Sequence, residues 1–473
     1  MLFNSFVFVR FFILVYIVYL LFNRNYKIQN LVLLIASYVF YGYWNLNFCL
    51  LLFVSTIVDF WLGKILHESQ THLKRKFLLI LSIIFNLSIL AFFKYFIFIE
   101  ENIINLFNSL GMQLDPITFH IVLPVGISFY TFQKMTYTID IYRRKLSPTK
   151  SFIDFALFVC FFPQVMAGPI ERAVNLLPQI TAPRNVKVEQ INDGIFLIIW
   201  GYFKKIVIAD NLLNVSDSIF NNYTQYQGLD LIIGILAFTV QIYGDFSGYS
   251  DIARGISKLM GFELMVNFKL PYFALNPSDF WLRWHVSLSS WLRDYLYIPL
   301  GGNRHGVFNT YRNLLLTMIL CGLWHGAAWN FVIWGAFHAV ILIIYRIFDK
   351  DPEHMEPWNG QYSYPRILSK MLLMFILTNI GWVIFRSSSV QQMYYMLTNI
   401  GLSLSAQGSL LGYDLVYFSL PLVIVQLYQY VTCDLIIITK LNPWVRIPIY
   451  SFLIIWLCVF GVRESGEFIY FQF

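Results

Sequence analysis

Ionisable side chains are scarce in this 473-residue chain, so those set inside apolar sequence are where chemistry could occur. His325 lies in Cys321-Gly-Leu-Trp-His-Gly-Ala-Ala-Trp-Asn330, within a largely apolar run from 312 to 347. Burial in an apolar cavity disfavours imidazolium, so this ring is expected to be neutral near pH 7. A neutral imidazole can take the proton of a hydroxyl while that hydroxyl attacks an acyl group. The competing reading is a core histidine bonded to a backbone carbonyl. Gly322 and Gly326 on either side, and the two nearby tryptophans, favour function.

A second concentration runs from Phe280 to Gly302 and contains Trp281, Arg283, Trp284, His285, Trp291, Arg293 and Asp294. Aromatic and basic residues together favour the headgroup region, so one reading is an amphipathic anchor lying on the membrane surface. The other is the lining of a cavity mouth, where arginines could hold phosphates. Residue types alone leave both open. A third stretch, Gln241-Ile-Tyr-Gly-Asp-Phe-Ser-Gly-Tyr-Ser-Asp251, places Asp245 at the end of an apolar run, where a carboxylate needs a partner. Its Gly-Asp-Phe-Ser-Gly order is not that of a nucleophile elbow, so Ser247 is not read as a nucleophile.

Other patterns fail on spacing. His67 and His72 are five residues apart, about 140° off one helix face and so unsuited to a zincin-like pair. They are expected in a basic loop with Lys74, Arg75 and Lys76. His338 follows His325 by thirteen residues, on roughly the opposite face of a continuing helix, and is read as structural. The five cysteines form no CxxC pair, and no metal site is expected. No Walker A or GxGxxG segment occurs. The chain ends Phe468-Ile-Tyr-Phe-Gln-Phe473, an uncharged aromatic tail. It is either an interfacial anchor or folds back to bring Tyr470 near the cavity.

These residues need elements that hold them in a membrane. The chain is 58% hydrophobic and only 12% charged, against about 25% charged residues in soluble domains. That excludes secreted and soluble enzymes and disordered scaffolds, and leaves an all-α polytopic membrane protein. The net charge of +7 is mild and scattered, so no nucleic-acid partner is expected; basic loops facing membrane lipid account for it. Apolar runs fall near 6–22, 30–44, 47–66, 77–99, 117–135, 151–163, 191–209, 229–246, 312–347, 367–386, 413–438 and 446–462. A spanning helix needs about 20 such residues, so the short runs are expected to be re-entrant, tilted or shielded. As one helix, 312–347 would extend roughly 52 Å, beyond a hydrocarbon core of about 30 Å. A break is therefore expected at the glycines around His325. Basic clusters after the first, third and fifth runs place the amino terminus outside and those clusters in the cytoplasm.

Trp284-His-Val-Ser-Leu-Ser-Ser-Trp-Leu-Arg-Asp-Tyr295, followed by Leu323-Trp-His-Gly-Ala327, strongly resembles the membrane-bound O-acyltransferase family. Ile298-Pro-Leu-Gly-Gly302, Pro163-Gln-Val-Met-Ala-Gly-Pro169 and the aromatic tail resemble its bacterial branch that acetylates cell-surface polysaccharides. That branch includes alginate and peptidoglycan O-acetyltransferase membrane subunits and is related to the D-alanyl transfer protein of teichoic acid synthesis.

The resemblance implies a ring of tilted and re-entrant helices around a central tunnel, with His325 catalytic at its bottleneck and His285 as the second family histidine. Trp324, Trp284, Arg283, Arg293, Asp294 and Asp245 become tunnel or donor-binding candidates. The acyl donor is expected to be cytoplasmic acetyl-CoA. The partner is expected to be a periplasmic SGNH-hydrolase-like enzyme, and the location the bacterial inner membrane. Tyr470 becomes the candidate acyl carrier. The expected organisation is one integral domain, with amino-terminal helices over 1–116, a catalytic core over 117–347 with an interfacial segment at 273–305, and carboxy-terminal helices and tail over 348–473. Peptidoglycan is the expected glycan, with alginate or another exopolysaccharide, or D-alanyl transfer, as alternatives. A lipid-linked sugar transporter would instead need paired broken helices in two related halves. A non-catalytic scaffold would not need His325.

Overall fold

The computed structural model describes residues 1–116, 121–166, 168–348, 364–462, 466, 468 and 469, and these are all-helical, with no strand among them. They form two compact units. One comprises residues 1–194 with 256–265, the other 195–255 with 266–473.

The first unit holds α1 (Phe6–Leu21), α2 (Tyr26–Gly42), α3 (Leu46–Glu68), α4 (His72–Leu90), α5 (Phe96–Ser109), α6 (Ile127–Tyr142), α7 (Phe152–Cys160) and α8 (Ala173–Ile180). Polar caps set several starts. Ser5 accepts from the Phe8 amide, Asn25 from Lys27 and Ile28, and Asn45 from Asn47, each satisfying donors that a helix start leaves open. Every residue of α6 from Ile127 to Ile141 is buried. Lys134 of α6 lies 3.6 Å from Asp59 of α3. Ser82 and Asn86 of α4 complete the shell by donating to Asp59 at 2.8 and 2.9–3.0 Å. Nothing in the sequence pattern singled out this buried pair.

The basic run Lys74-Arg75-Lys76 is not in a loop, as expected, but in the first turns of α4. A cation there opposes its own helix dipole. Arg75 instead turns back to helix ends of the favourable sign. It donates to Leu66 O near the end of α3 (3.1 Å) and to Ile141 O and Tyr142 O at the end of α6 (3.3 and 2.7 Å). His67 and His72 consequently lie on different helices.

Helix α9 (Val188–Tyr202) continues through a π-helical segment, Phe203–Ala209, into α10 (Asp210–Asn221). The remaining helices are α11 (Leu229–Leu259), α12 (Pro277–Arg283), α13 (Val286–Leu292), α14 (Gly306–His325), α15 (Trp329–Phe348), α16 (Tyr364–Arg386), α17 (Val390–Thr398), α18 (Ala406–Thr432) and α19 (Pro443–Phe460). Among the described residues, seven helical stretches are long and apolar enough to cross a membrane: α3, α4 through α5, α11, α15, α16, α18 and α19. The chain is a multi-pass membrane protein. The short runs behave otherwise: α7 has only nine residues, and Phe155 to Cys160 within it are buried.

Candidate active site

The expected break falls at His325. Helix α14 ends on that residue, and α15 begins at Trp329. The two helices then pack closely through glycine. A methyl added at Gly322 would collide with Phe331 O, and one at Gly335 with Met318 O. Gly326 is shielded similarly, because a methyl there would meet the Phe331 ring. The hairpin therefore holds His325 at a helix terminus and 2% exposed.

His285 reaches the same place from another element. It joins α12 to α13 with φ 43° and ψ 53°, a left-handed backbone. Non-glycine residues pay about 1–2 kcal/mol there, although histidine is among those that tolerate it best. Asn267 holds the strained joint. Its carbonyl accepts from the Val286 amide at 2.9 Å, and its side-chain oxygen accepts from the Ser287 amide and hydroxyl at 3.2 and 3.0 Å. The Asn267 amide in turn donates to Ser250 on α11 at 3.3 Å. Burial pushes the His285 imidazole down to about 3, so the ring is neutral at physiological pH.

The His285 and His325 ring centroids are 6.3 Å apart. An oxygen bonded to one ring nitrogen lies about 4 Å from that ring's centre, given a ring radius of about 1.2 Å and a bond of about 2.8 Å. Twice that reach exceeds the observed separation, so one hydroxyl can lie within reach of both imidazoles. Trp324 flanks His285 and His325 at 5.6 and 5.2 Å. Trp334 and Phe385 stand edge-on to His325 at 5.0 and 5.5 Å, and Phe246 to His285 at 4.7 Å. This shell is aromatic, and both imidazoles are buried. Enclosure of this kind protects an activated acyl group from hydrolysis.

Because the helix reverses after His325, His338 is not carried to a remote face. Trp334 contacts both histidines, at 5.0 and 4.6 Å, and Phe280 stacks on His338 at 5.9 Å. His338 is therefore one aromatic ring removed from His325. The opposite-face placement applied to a continuous helix, and the chain reverses instead.

The Phe280–Gly302 stretch is not a surface anchor over its first half. Phe280, Trp284, His285, Leu288 and Trp291 are buried. Trp284 packs against Trp382 at 4.7 Å and Phe268 at 5.0 Å, forming a wall behind the site. Arg283 pairs with Asp279 at 2.7 Å. Arg293 pairs with Asp294 at 2.8 Å and is half-exposed. It lies eight residues from His285, about 12 Å along a helix.

Asp245 is bound by Lys205 at 2.7 Å and accepts from the Ile469 amide at 2.7 Å. Phe468 packs on Tyr249 and Phe246 at 4.6 and 5.6 Å. The tail thus folds into the second unit as far as Ile469. Tyr470 lies outside the described residues. Among the described residues, no group of three or more His, Cys, Asp or Glu side chains could hold a metal. Asn267, Trp334 and Phe385 escaped the sequence reading, since nothing in their local sequence marks them. The His285 joint brings Asn267 to the site, the reversal at Gly326 brings Trp334, and the packing of α16 against α15 brings Phe385.

Comparisons with known proteins identify the family. The profile of the membrane-bound O-acyltransferase family matches residues 43–377, beginning well before the segment that carries the sequence resemblance. The probable alginate O-acetylase AlgI of Pseudomonas aeruginosa is 43% identical over 401 residues, covering 84% of this chain and 74% of that protein. The peptidoglycan O-acetyltransferase of Helicobacter pylori is 36% identical over 394 residues, covering 78% and 73%. The teichoic acid D-alanyltransferase of Bacillus subtilis is 28% identical over 251 residues, covering 51% and 61%. With two buried histidines from separate helical elements facing one another inside an aromatic shell, this multi-pass chain belongs to the membrane-bound O-acyltransferase family and is a membrane-bound acyltransferase.

Proposed function

We propose that the protein transfers an acetyl group from cytoplasmic acetyl-CoA, across the inner membrane, to a periplasmic SGNH-hydrolase-like partner that O-acetylates a cell-surface polysaccharide. The carrying observation is the pair of buried imidazoles 6.3 Å apart at the helix break. His325 takes the proton of an acceptor hydroxyl, that of Tyr470, as its oxygen attacks the thioester carbonyl. The tetrahedral intermediate collapses with cleavage of the C–S bond. The CoA thiolate takes the proton back from His325, leaving CoA thiol and an acetyl ester on Tyr470. His285 orients the hydroxyl. The partner's own nucleophile then receives the acetyl group and regenerates the Tyr470 hydroxyl.

Peptidoglycan is the first reading for the glycan, because the chain is rich in residues with AT-rich codons, including 46 Phe and 30 Tyr, as in a low-GC bacterium. A second reading, alginate or a related exopolysaccharide, is favoured by the 43% identity to the probable alginate O-acetylase. The deciding experiment deletes the protein and measures ester-linked acetate on peptidoglycan and on secreted polysaccharide separately. Restoration should follow from the wild-type chain and not from His325→Ala. Unchanged acetylation of every surface polymer would overturn the proposal. Loss of ester-linked D-alanine instead of acetate would replace the donor with a D-alanyl carrier.

A further inference from the structure

The tail is held by backbone groups, through a charge cluster that the transfer chemistry itself does not use. Lys205 Nζ lies 2.8 Å from Asp210 and 2.7 Å from Asp245, and donates to Gly466 O at 3.2 Å. The second oxygen of Asp245 accepts from the Ile469 amide at 2.7 Å. One acceptor and one donor of the terminal segment, three residues apart, are thereby tied to a buried cation and a buried carboxylate.

The elements are built to place these charges. Gly201 of α9 and Gly248 of α11 face one another so closely that a methyl on either would meet the other's carbonyl oxygen. Small residues allow backbones to approach in this way. Residues six apart on an α-helix, such as Asp245 and Asp251, point about 120° apart, and adjacent residues also point in different directions. Lys204 and Lys205 therefore diverge to meet two aspartates on α11, Lys204 pairing with Asp251 at 2.6 Å and Lys205 with Asp245. The π-helical segment carrying both lysines is a geometry that recurs at functional sites. Phe468, within the tethered segment, packs on Phe246, which is edge-on to His285.

We propose that Asp245 and Lys205 are positioning residues for acyl transfer, fixing the register of the carboxy-terminal segment through Gly466 and Ile469 and seating Phe468 against Phe246 beside His285. This rests on the proposed function in which Tyr470 takes the acyl group. It reassigns Asp245 from contact with the donor to control of the acceptor.

The test uses the full chain in detergent or nanodiscs with its partner enzyme. Asp245→Ala leaves Lys205 paired with Asp210, so no buried cation is orphaned. Asp245→Asn keeps an acceptor oxygen, and Ile469→Pro removes the amide donor without touching any charge. Residue-resolved hydrogen exchange should show Ile469 losing protection by about 100-fold in Asp245→Ala, with α14 unchanged. The same variant and Ile469→Pro should lower kcat by roughly tenfold or more, as expected for a misplaced reactant, with KM for acetyl-CoA held within about threefold. Asp245→Asn should recover both protection and rate. Exchange that rises while kcat is unchanged would overturn the inference, as would full activity of Ile469→Pro or a rate loss carried by KM. If His325→Ala is inactive while Asp245→Ala is fully active, only the positioning role fails. If His325→Ala is active, the parent reading fails whatever the exchange data give.

Discussion

His325 ends a 20-residue helix and His285 caps a seven-residue one, yet their rings meet 6.3 Å apart. Neither helix could place both. The pairing depends on a glycine-lined reversal after one histidine and a left-handed backbone at the other.

His325→Ala should lower acetyl transfer by roughly 10²–10⁴-fold, the usual contribution of a general base. Membrane insertion and detergent melting temperature should change little, because the α14–α15 hairpin keeps its glycine contacts. Transfer assays in membranes carrying the partner, beside a melting curve, check this. Retained transfer would remove His325 from the chemistry.

Gly335→Ala should damage the site from a distance. The added methyl meets Met318 O, a backbone atom that cannot rotate away. Overpacking of this kind costs about 1–3 kcal/mol, and it should spread α14 from α15. The expected outcome is a lower melting temperature together with lost activity. A variant with wild-type melting and rate would show that the hairpin does not set the position of His325.

Lys134→Met should destabilise the first unit by about 3–5 kcal/mol, since it leaves buried Asp59 without its cation. The double variant Lys134→Met/Asp59→Asn should recover much of the loss, because Ser82 and Asn86 still bond a neutral amide. Thermal unfolding of the three variants measures the coupling. Equal melting of the single and double variants would show that the pair is not coupled.

Acid should weaken the fold partly through His285. Its folded value near 3 lies below the ordinary 6.5, so between those values the unfolded state binds a proton that the native state refuses. Stability from this group is fully present above about pH 6.5. It is lost as pH falls toward 3, by at most about 1.4 kcal/mol per pH unit. Stability measured between pH 4 and 6.5 should therefore fall less steeply in His285→Gln than in wild type. Identical slopes would place His285 in a solvated environment.

Local sequence determined the parts of this protein that depend on near neighbours. Scarce charge and long apolar runs specify helices in a membrane. Ser5, Asn25 and Asn45 mark helix starts because a cap needs only the next turn. The excess length of 312–347 demanded a break, and Gly322 and Gly326 showed where it costs least. The Trp-His motifs further identified two histidines and their family.

Tertiary structure decided every pairing between distant residues. Asp245 required a partner, but only the close approach at Gly201 and Gly248 made Lys205 that partner. Lys134 and Asp59 lie in separate apolar runs, and only the packing of α3 against α6 pairs them. Arg75 read as a loop charge because its acceptors are the ends of two other helices. His338 changed neighbourhood once the chain reversed after His325. Hydropathy and capping act over a few residues, whereas the site depends on which helix faces can approach closely enough to exclude lipid and water.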